Sequence, residues 1–588
     1  MEKAQAKLEL QPEGEQDPEA EAAARALLTD LYQFTMAVAY WRAGRAREPA
    51  EFELFFRRCP FGSSFALAAG LRDCMRFLRT FRLRPADIKY LASVLPPDTD
   101  PEFFEYLQGL DCSGVTIRAQ PEGSLAFAHV PLLCVSGPLL LVQILETPLL
   151  CLINYARWGL RRRTRASLRA GGPGESGRHA AHSRFLASSS LVATNAARLR
   201  LIAGPEKRLL EMGLRRAQGP DGGLTASTYS YLGGFDSSSN VLAGQLRGVP
   251  VAGTLAHSFV TSFSGSEQPH APMLAPASGQ GLPRDLSTLA KSWLGKVCEC
   301  LGLRAEETHP GERAAFVAYA LAFPKAFQGL LDSYSVMRSG LPNFLAVALA
   351  LAELGYRAVG VRLDSGDLLQ QAWEIRSIFR KCASRFQVPW LEAVSIAVSN
   401  NIDEKVLTRL ARKDSEVNLI GIGTSVVTCP LQPSLGCVYK LVSVRGQPCR
   451  KLTEDSEKQT LPGTKAAFRL YDPEGAPILD LLQLEEEPAP RAGQELRVWP
   501  LDVSGGDCRS LTLTPASLEP LLRVYFHLGQ VCEPIPSLAE SRTLAQKSLG
   551  CLSPSHKRLE HPEPYQVALS EKLHALLKGL VQSNQEGP

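Results

Sequence analysis

Ala358-Val359-Gly360-Val361-Arg362-Leu363-Asp364-Ser365-Gly366-Asp367 opens as an apolar run of strand length and ends in a cation and two carboxylates around a glycine. Charged groups cost too much to crowd together at a strand end unless a ligand offsets them. Arg362 can clamp a carboxylate or phosphate through its planar fork, and Asp364 and Asp367 can hold ribose hydroxyls or Mg²⁺. The plainer reading, kept beside it, is a helix start capped by Ser365 or Asp367.

Similar runs lie on either side. Val249–Thr254, Phe327–Asp332, Val394–Ser399 and Val417–Ile422 are apolar and β-rich, with helical stretches between them. Strands alternating with helices predict an α/β fold built of βα units with parallel pairing. Several runs end in polar residues, Asp332 among them, as barrel strands do on the face where active sites form. Upstream, from Leu27 to about Tyr155, strand and helix signals mix, including the alternation of Phe52, Leu54 and Phe56. Beyond Val438 the chain reads as strands and turns, closed by a helix predicted over Gln566–Val581. The Pro/Gly/Ser-rich stretch Ser264–Pro283 reads as a long surface loop.

Three further motifs carry candidate chemistry. Val417-Asn418-Leu419-Ile420-Gly421-Ile422-Gly423-Thr424-Ser425 is a strand running into a glycine turn. There Gly421 and Gly423 let backbone N–H groups face an anion, and Thr424 and Ser425 add hydroxyl donors at a helix start. A tight βα turn with an N-cap explains the same residues. In Gly253-Thr254-Leu255-Ala256-His257-Ser258 a histidine follows a strand end, where it serves as general base, phosphate carrier or a satisfied polar group. Gly233-Gly234-Phe235-Asp236-Ser237-Ser238-Ser239-Asn240 suits a backbone that approaches a ligand, or a capped loop.

The 588 residues carry 64 Lys+Arg against 60 Asp+Glu, a formal net charge of +4. With 45% hydrophobic and 21% charged residues the chain is neither a disordered polymer nor a basic nucleic-acid binder. The basic lean sits in one place. Residues 157–189 hold Arg157, Arg161, Arg162, Arg163, Arg165, Arg169, Arg178 and Arg184 against the single acid Glu175, more than the whole chain's excess. That segment, with Gly171-Gly172-Pro173-Gly174 inside it, reads as a disordered insertion. Residues 130–156 imitate a membrane span, but Pro131, Gly137, Pro138, Gln143, Glu146 and Pro148 interrupt them. They read instead as a buried strand, a turn at Gly137-Pro138 and a core helix opening near Glu146. Scattered cysteines and no apolar leader within 1–24 point to a cytosolic protein without disulfides.

Taken in order, these motifs resemble nicotinate phosphoribosyltransferase. The matching stretches are Thr29-Asp30-Leu31-Tyr32-Gln33, Phe52-Glu53-Leu54-Phe55-Phe56-Arg57, Gly213-Leu214-Arg215-Arg216-Ala217, Gly233-Gly234-Phe235-Asp236, Gly253 to Ser258, Val361 to Asp367 and Gly421 to Thr424. A lysine-rich stretch, Lys451-Leu452-Thr453 through Lys458 to Pro462-Gly463-Thr464-Lys465, completes the set. Any one is weak, while eight in register are specific. The resemblance covers nearly the whole chain from Leu27, interrupted by residues 157–189, which divide a stretch continuous in the family.

That resemblance implies a type II phosphoribosyltransferase: an irregular α/β barrel with an N-terminal α/β domain and a smaller C-terminal domain. On this reading 1–24 is a disordered lead, 25–156 the N-terminal domain, 157–189 the insertion and 190–429 the barrel. Residues 430–588 form the C-terminal domain, partly packed on the N-terminal one. It implies ATP-coupled synthesis of nicotinate mononucleotide and pyrophosphate from nicotinate and 5-phosphoribosyl pyrophosphate, with Mg²⁺ or Mn²⁺. It implies a homodimer with shared active sites, and no nucleic acid or membrane partner. His257 is then the phosphohistidine, with Asp364 and Arg215 catalytic. Tyr32, Thr254 and Arg362 hold nicotinate, Tyr32 reaching in from the neighbouring subunit. Thr424, Gly421, Gly423 and Ser425 hold the phosphoribosyl substrate, and Asp332 and Asp367 are further substrate-binding residues. The alternatives are an inactive insertion-bearing variant acting as a dimer partner, or a nicotinamide phosphoribosyltransferase.

Overall fold

The structure, a computed structural model, describes residues 25–154, 191–265, 272–428, 434–449, 460–501, 509–558 and 560–585. The 1–24 lead, the 157–189 insertion and the Lys451–Lys458 motif lie outside the described residues.

Four of the predicted strands join two that the sequence did not reveal, Arg208–Glu211 and Ser237–Ser238, in one six-stranded sheet in the order Gln328–Leu330, Gly360–Leu363, Ser395–Val398, Leu419–Ile422, Arg208–Glu211, Ser237–Ser238. Every neighbouring pair is parallel. Val249–Thr254 does not become a strand. Only Val251 bridges Ser238 in parallel, because Pro250 beside it has no N–H to extend a ladder. Among the described residues no pairing joins Val251 to Gln328, so the fold is mixed α/β with a half-barrel sheet. Helices Pro310–Ala322, Leu341–Glu353 and Leu368–Phe386 alternate with these strands. Leu341–Glu353 is buried from Leu341 to Leu351, as a helix apolar on nearly every side must be.

A seven-stranded antiparallel sheet is built around Pro49–Phe56, which pairs with Cys437–Val444 on one side and Leu133–Pro138 on the other. Phe52, Leu54 and Phe56 are buried as their alternation predicts, yet the opposite face is buried too. Glu51 and Glu53 on that face meet Arg118 at 2.9 Å and Lys465 at 3.1 Å. Burial pushes the Glu53 carboxyl up to about 7 even against Lys465. At Gly137-Pro138 the chain passes from strand directly into helix Leu139–Ile144, and helix Glu146–Asn154 opens where the sequence places it.

The third sheet joins Lys465–Tyr471, Pro477–Leu484, Leu496–Pro500, Leu511–Leu513, Ser517–Pro520 and Gln566–Leu569. The predicted 566–581 helix is thus corrected: Gln566–Leu569 is a strand, and the helix is Glu571–Gln585. This strand lies between Pro477–Leu484 and Leu496–Pro500, so its side chains from Val567 to Leu569 are buried. A short apolar run of that kind cannot be told from a buried helix by periodicity. The 264–283 stretch is not a plain loop either, since Met273–Leu274 pairs with Arg284–Asp285. Among the described residues no helix is long and apolar enough to cross a membrane.

Candidate active site

Parallel strands place all their carboxyl ends on one edge, which is where open α/β sheets bind ligands. Along that edge follow Asp332, Asp364, Ser399, Gly423, Gly213 and Ser239, each within one to three residues of its strand's end. The motifs scattered over some 200 positions of sequence therefore converge on one cleft edge for a topological reason.

His257 is the first residue of the short helix His257–Thr261. Its Nε2 lies 3.1 Å from Oδ1 of Asp332, whose side chain is only 1% exposed. Asp332 Oδ2 accepts from Ser365 Oγ at 2.6 Å, and Asp364 Oδ1 accepts from Ser399 Oγ at 2.8 Å. His257, Asp332 and Asp364 each present a ligand atom within 4.8 Å of the others. The sequence identified these three separately, and the structure brings them together. Ser365 serves Asp332 rather than capping a helix.

Arg362 donates from one Nη to the Leu255 carbonyl at 2.7 Å, tying its strand to the His257 motif. Its Nε–H is buried with no partner among the described residues, a donor left for a ligand. The Thr254 carbonyl beside it accepts from Tyr319 Oη at 3.1 Å and from Thr35 Oγ1. Tyr32 is packed here within its own chain. A Cβ at Gly253 would come 2.9 Å from the Tyr32 N, so the two backbones touch only because position 253 is glycine.

Arg215 lies in the 3₁₀ turn Leu214–Arg216. Its Nη1 is 3.1 Å from Glu146 Oε1, its Nε 3.8 Å from Asp30 Oδ2, and its guanidinium 5.6 Å from the Tyr32 ring centre. Burial works against its charge, but Tyr32, Glu146, Asp30 and Asp364 outweigh this and hold its pKa above the usual arginine value. Burial first, then Arg215 and Arg57, bring the neighbouring Arg216 down to about 10. Arginines crowded so closely mark a place suited to an anion.

Other predicted residues have structural work. Asp367 caps helix Leu368–Phe386, its side chain accepting from the Leu369 and Gln370 N–H groups at 3.2 Å, and it sits 3.7 Å from Arg409. Cβ atoms at Gly421 and Gly423 would meet Met212 Sδ at 2.6 Å and the Met212 carbonyl at 3.1 Å, so both glycines admit the neighbouring chain. Thr424 and Ser425 open helix Thr424–Val427 as expected.

Several residues went unread in the sequence. Gln33, Gln143 and Glu146, joined to Asp30 through Thr147, form a buried network behind Arg215. Asn400 and Asn401 both have positive φ, at 125° and 46°, straight after strand Ser395–Val398. Paired asparagines at a strand end were a readable sign of such a turn. Glu312 accepts from Ser339 Oγ at 2.5 Å and Asn343 Nδ2 at 3.4 Å. Burial, with Asp332 close by, pushes it up to about 8 against those two hydrogen bonds.

A sequence profile of the nicotinate phosphoribosyltransferase (NAPRTase) N-terminal domain matches residues 27–154, and one of the C-terminal domain matches residues 464–577. Human nicotinate phosphoribosyltransferase is 72% identical over 566 residues, covering 96% of this chain and 98% of its own. The chain belongs to the nicotinate phosphoribosyltransferase family. The mouse (Mus musculus) nicotinate phosphoribosyltransferase is 70% identical over 568 residues, covering 97% of this chain and 99% of its own. The crystal structure of the Porphyromonas gingivalis nicotinate phosphoribosyltransferase, 18% identical, covers 74% of this chain and 95% of its own at a TM-score of 0.50. It shares the fold. Of the stretches that suggested nicotinate phosphoribosyltransferase, those holding Gly213, Asp364 and Gly423 lie on the edge that the half-barrel offers, while Phe52–Phe56 lies in the antiparallel sheet.

Proposed function

We propose that this chain joins nicotinate to 5-phosphoribosyl pyrophosphate, giving nicotinate mononucleotide and pyrophosphate with coupled ATP hydrolysis. The observation that carries this reading is Arg362, held at one Nη by the Leu255 carbonyl and keeping a buried Nε–H without a partner among the described residues. A carboxylate answers that donor, and an amide does so far less well. The relatives matched here are named for nicotinate, so the amide alternative is not carried further.

Departure of pyrophosphate leaves positive character on the ribose, so the site must neutralise the leaving anion and hold the pyridine nitrogen in line. Arg215 and Arg216 serve the first task, and Arg362 with the Thr254 segment serves the second. His257 carries the phosphoryl group taken from ATP. Donation of its Nε2–H to Asp332 fixes the tautomer and leaves Nδ1 with the lone pair that attacks phosphorus. Thr424 and Ser425 donate to the phosphoribosyl group.

The oxygen donors Asp332 and Asp364 fit Mg²⁺ or Mn²⁺, within 4.8 Å of each other's ligand atoms. The ion would supply charge neutralisation on pyrophosphate. We further propose that the half-barrel closes into the family's irregular barrel, that two copies pair as a homodimer with the cleft edge at their contact, and that the enzyme works in the cytosol. The described cysteines are all free thiols, which suits that compartment.

Arg362→Ala tests the reading. It should raise the KM for nicotinate about 100-fold, the value of roughly two to three kcal/mol for a charge-assisted contact, with far less effect on the KM for 5-phosphoribosyl pyrophosphate. Equal effects on both substrates would remove Arg362 from nicotinate recognition.

A further inference from the structure

We propose that Glu211 is a positioning residue for 5-phosphoribosyl pyrophosphate: its buried carboxylate fixes the turn that carries Arg215 and Arg216 against the glycine turn at Gly423. The proposal rests on the anion-neutralising role given to the two arginines above.

Glu211 ends strand Arg208–Glu211, in register with Ile422 on one side and Ser238 on the other, so it stands between two strands of the cleft edge. It is 1% exposed. Its Oε1 accepts from the Gly213 N–H at 2.5 Å, and its Oε2 accepts from Ser238 Oγ at 2.5 Å. A buried carboxylate is a costly way to occupy one N–H. What it adds is a second acceptor oxygen and no proton of its own, so it holds donors from two elements at once.

Gly213 is the pivot between that carboxylate and the arginines. Its N–H is held by Glu211, while its carbonyl accepts from the Arg216 N–H at 2.8 Å and closes the turn Leu214–Arg216. A Cβ at Gly213 would stand 2.6 Å from the Val427 methyls and 2.8 Å from the Gly423 carbonyl. The arginine turn and the glycine turn ahead of Thr424 therefore touch at this residue. The Glu211 backbone works from the other side. Its carbonyl accepts from the Ser239 N–H at 2.8 Å, and Ser239 Oγ donates to Asp30 Oδ1 at 2.5 Å. The second oxygen of Asp30 lies 3.8 Å from Arg215 Nε. Without an acceptor at position 211 the Gly213 N–H becomes an unpaired interior donor, and the peptide that opens the arginine turn has reason to move. Arg362 and the Thr254 segment stand on other elements and do not share this pivot.

The test uses the intact chain, comparing wild type with Glu211→Leu, Glu211→Gln, Arg215→Ala and the double variant of Glu211→Leu with Arg215→Ala. The KM for each substrate is measured, and Tm reports folding. Glu211→Leu should raise the KM for 5-phosphoribosyl pyrophosphate about tenfold and that for nicotinate far less, a split that a general loss of stability does not produce. Glu211→Gln keeps an acceptor for the Gly213 N–H and should recover most of the loss. The double variant should lose less than the product of the two single effects, because both act on one turn. Should Glu211→Leu fold poorly, Ser238→Ala carries the test: it frees the other carboxylate oxygen and should raise the same KM about fivefold, the value of one ordinary hydrogen bond. A wild-type KM in the folded variant, an equal rise for both substrates, no recovery in Glu211→Gln, or a full product in the double variant overturns the proposal. A wild-type KM for 5-phosphoribosyl pyrophosphate in Arg215→Ala overturns instead the anion role of that arginine, and the positioning role falls with it.

Discussion

His257 Nε2 and Asp332 Oδ1 lie 3.1 Å apart, and the other oxygen of that buried carboxylate is taken by Ser365 at 2.6 Å. The aspartate is fixed from two sides and so holds the imidazole in one orientation. Asp332→Asn keeps the shape and loses a charge-assisted hydrogen bond, and should slow phosphohistidine formation about tenfold or more. His257→Ala should abolish ATP stimulation and spare some uncoupled turnover. Initial rates with and without ATP check both, and unchanged ATP dependence in His257→Ala would contradict the assignment.

Glu312, buried near Asp332, gives a pH signature. Its folded value of about 8 stands above the ordinary carboxyl value of 4.5. Between the two, the folded chain keeps a proton that the unfolded chain has lost, so this group's contribution to stability falls as pH rises across that window and levels off above it. Glu312→Gln is always neutral and should lose less Tm than wild type between roughly pH 5 and pH 8.5. Parallel Tm curves for the two proteins would refute this.

The sequence carried the chemistry of the site further than its frame. Asp364 and Arg362 were legible because charged residues end an apolar strand, and His257 because it follows an apolar run, local patterns that need no tertiary knowledge. Gln33, Gln143 and Glu146 were not, because they lie on apolar helices where a polar residue looks like an interruption. Their partners are more than 100 positions away. The 566–569 strand was misread for a related reason: its burial comes from two flanking strands that only the folded sheet supplies. Glu51 and Glu53 resemble a solvent face in the alternation, and only the arrival of Lys465 and Arg118 makes them interior.

Gly340 is the counterpart at the Asp332 strand. A Cβ there would collide with the carbonyl of Leu331, the residue just before Asp332. Gly340→Ala should cost about 1–3 kcal/mol and lower activity, because relief of the clash moves the Asp332 backbone. Urea denaturation and steady-state rates on the same preparation check this; wild-type values in both would show that the segment yields freely.

In the C-terminal sheet Arg469 grips Asp480 with two hydrogen bonds of 2.8 Å, and both side chains are buried. Removing one partner leaves an uncompensated interior charge. Arg469→Ala should destabilise the chain by about 3–5 kcal/mol, while the KM values of the folded fraction stay near wild type, since the pair lies in another sheet from the cleft edge. A loss of stability under about 1 kcal/mol would mean that the site relaxes around the vacancy.

The central claim is the choice of nicotinate, and the most direct measurement is mononucleotide formation by the purified intact chain. Nicotinate and nicotinamide are supplied in parallel with 5-phosphoribosyl pyrophosphate, Mg²⁺ and ATP. The account predicts nicotinate mononucleotide, formed faster with ATP, and at least about 100-fold lower turnover with the amide, which cannot form an ion pair with Arg362. Equal turnover of the two, or no turnover of nicotinate by a correctly folded chain, would contradict it.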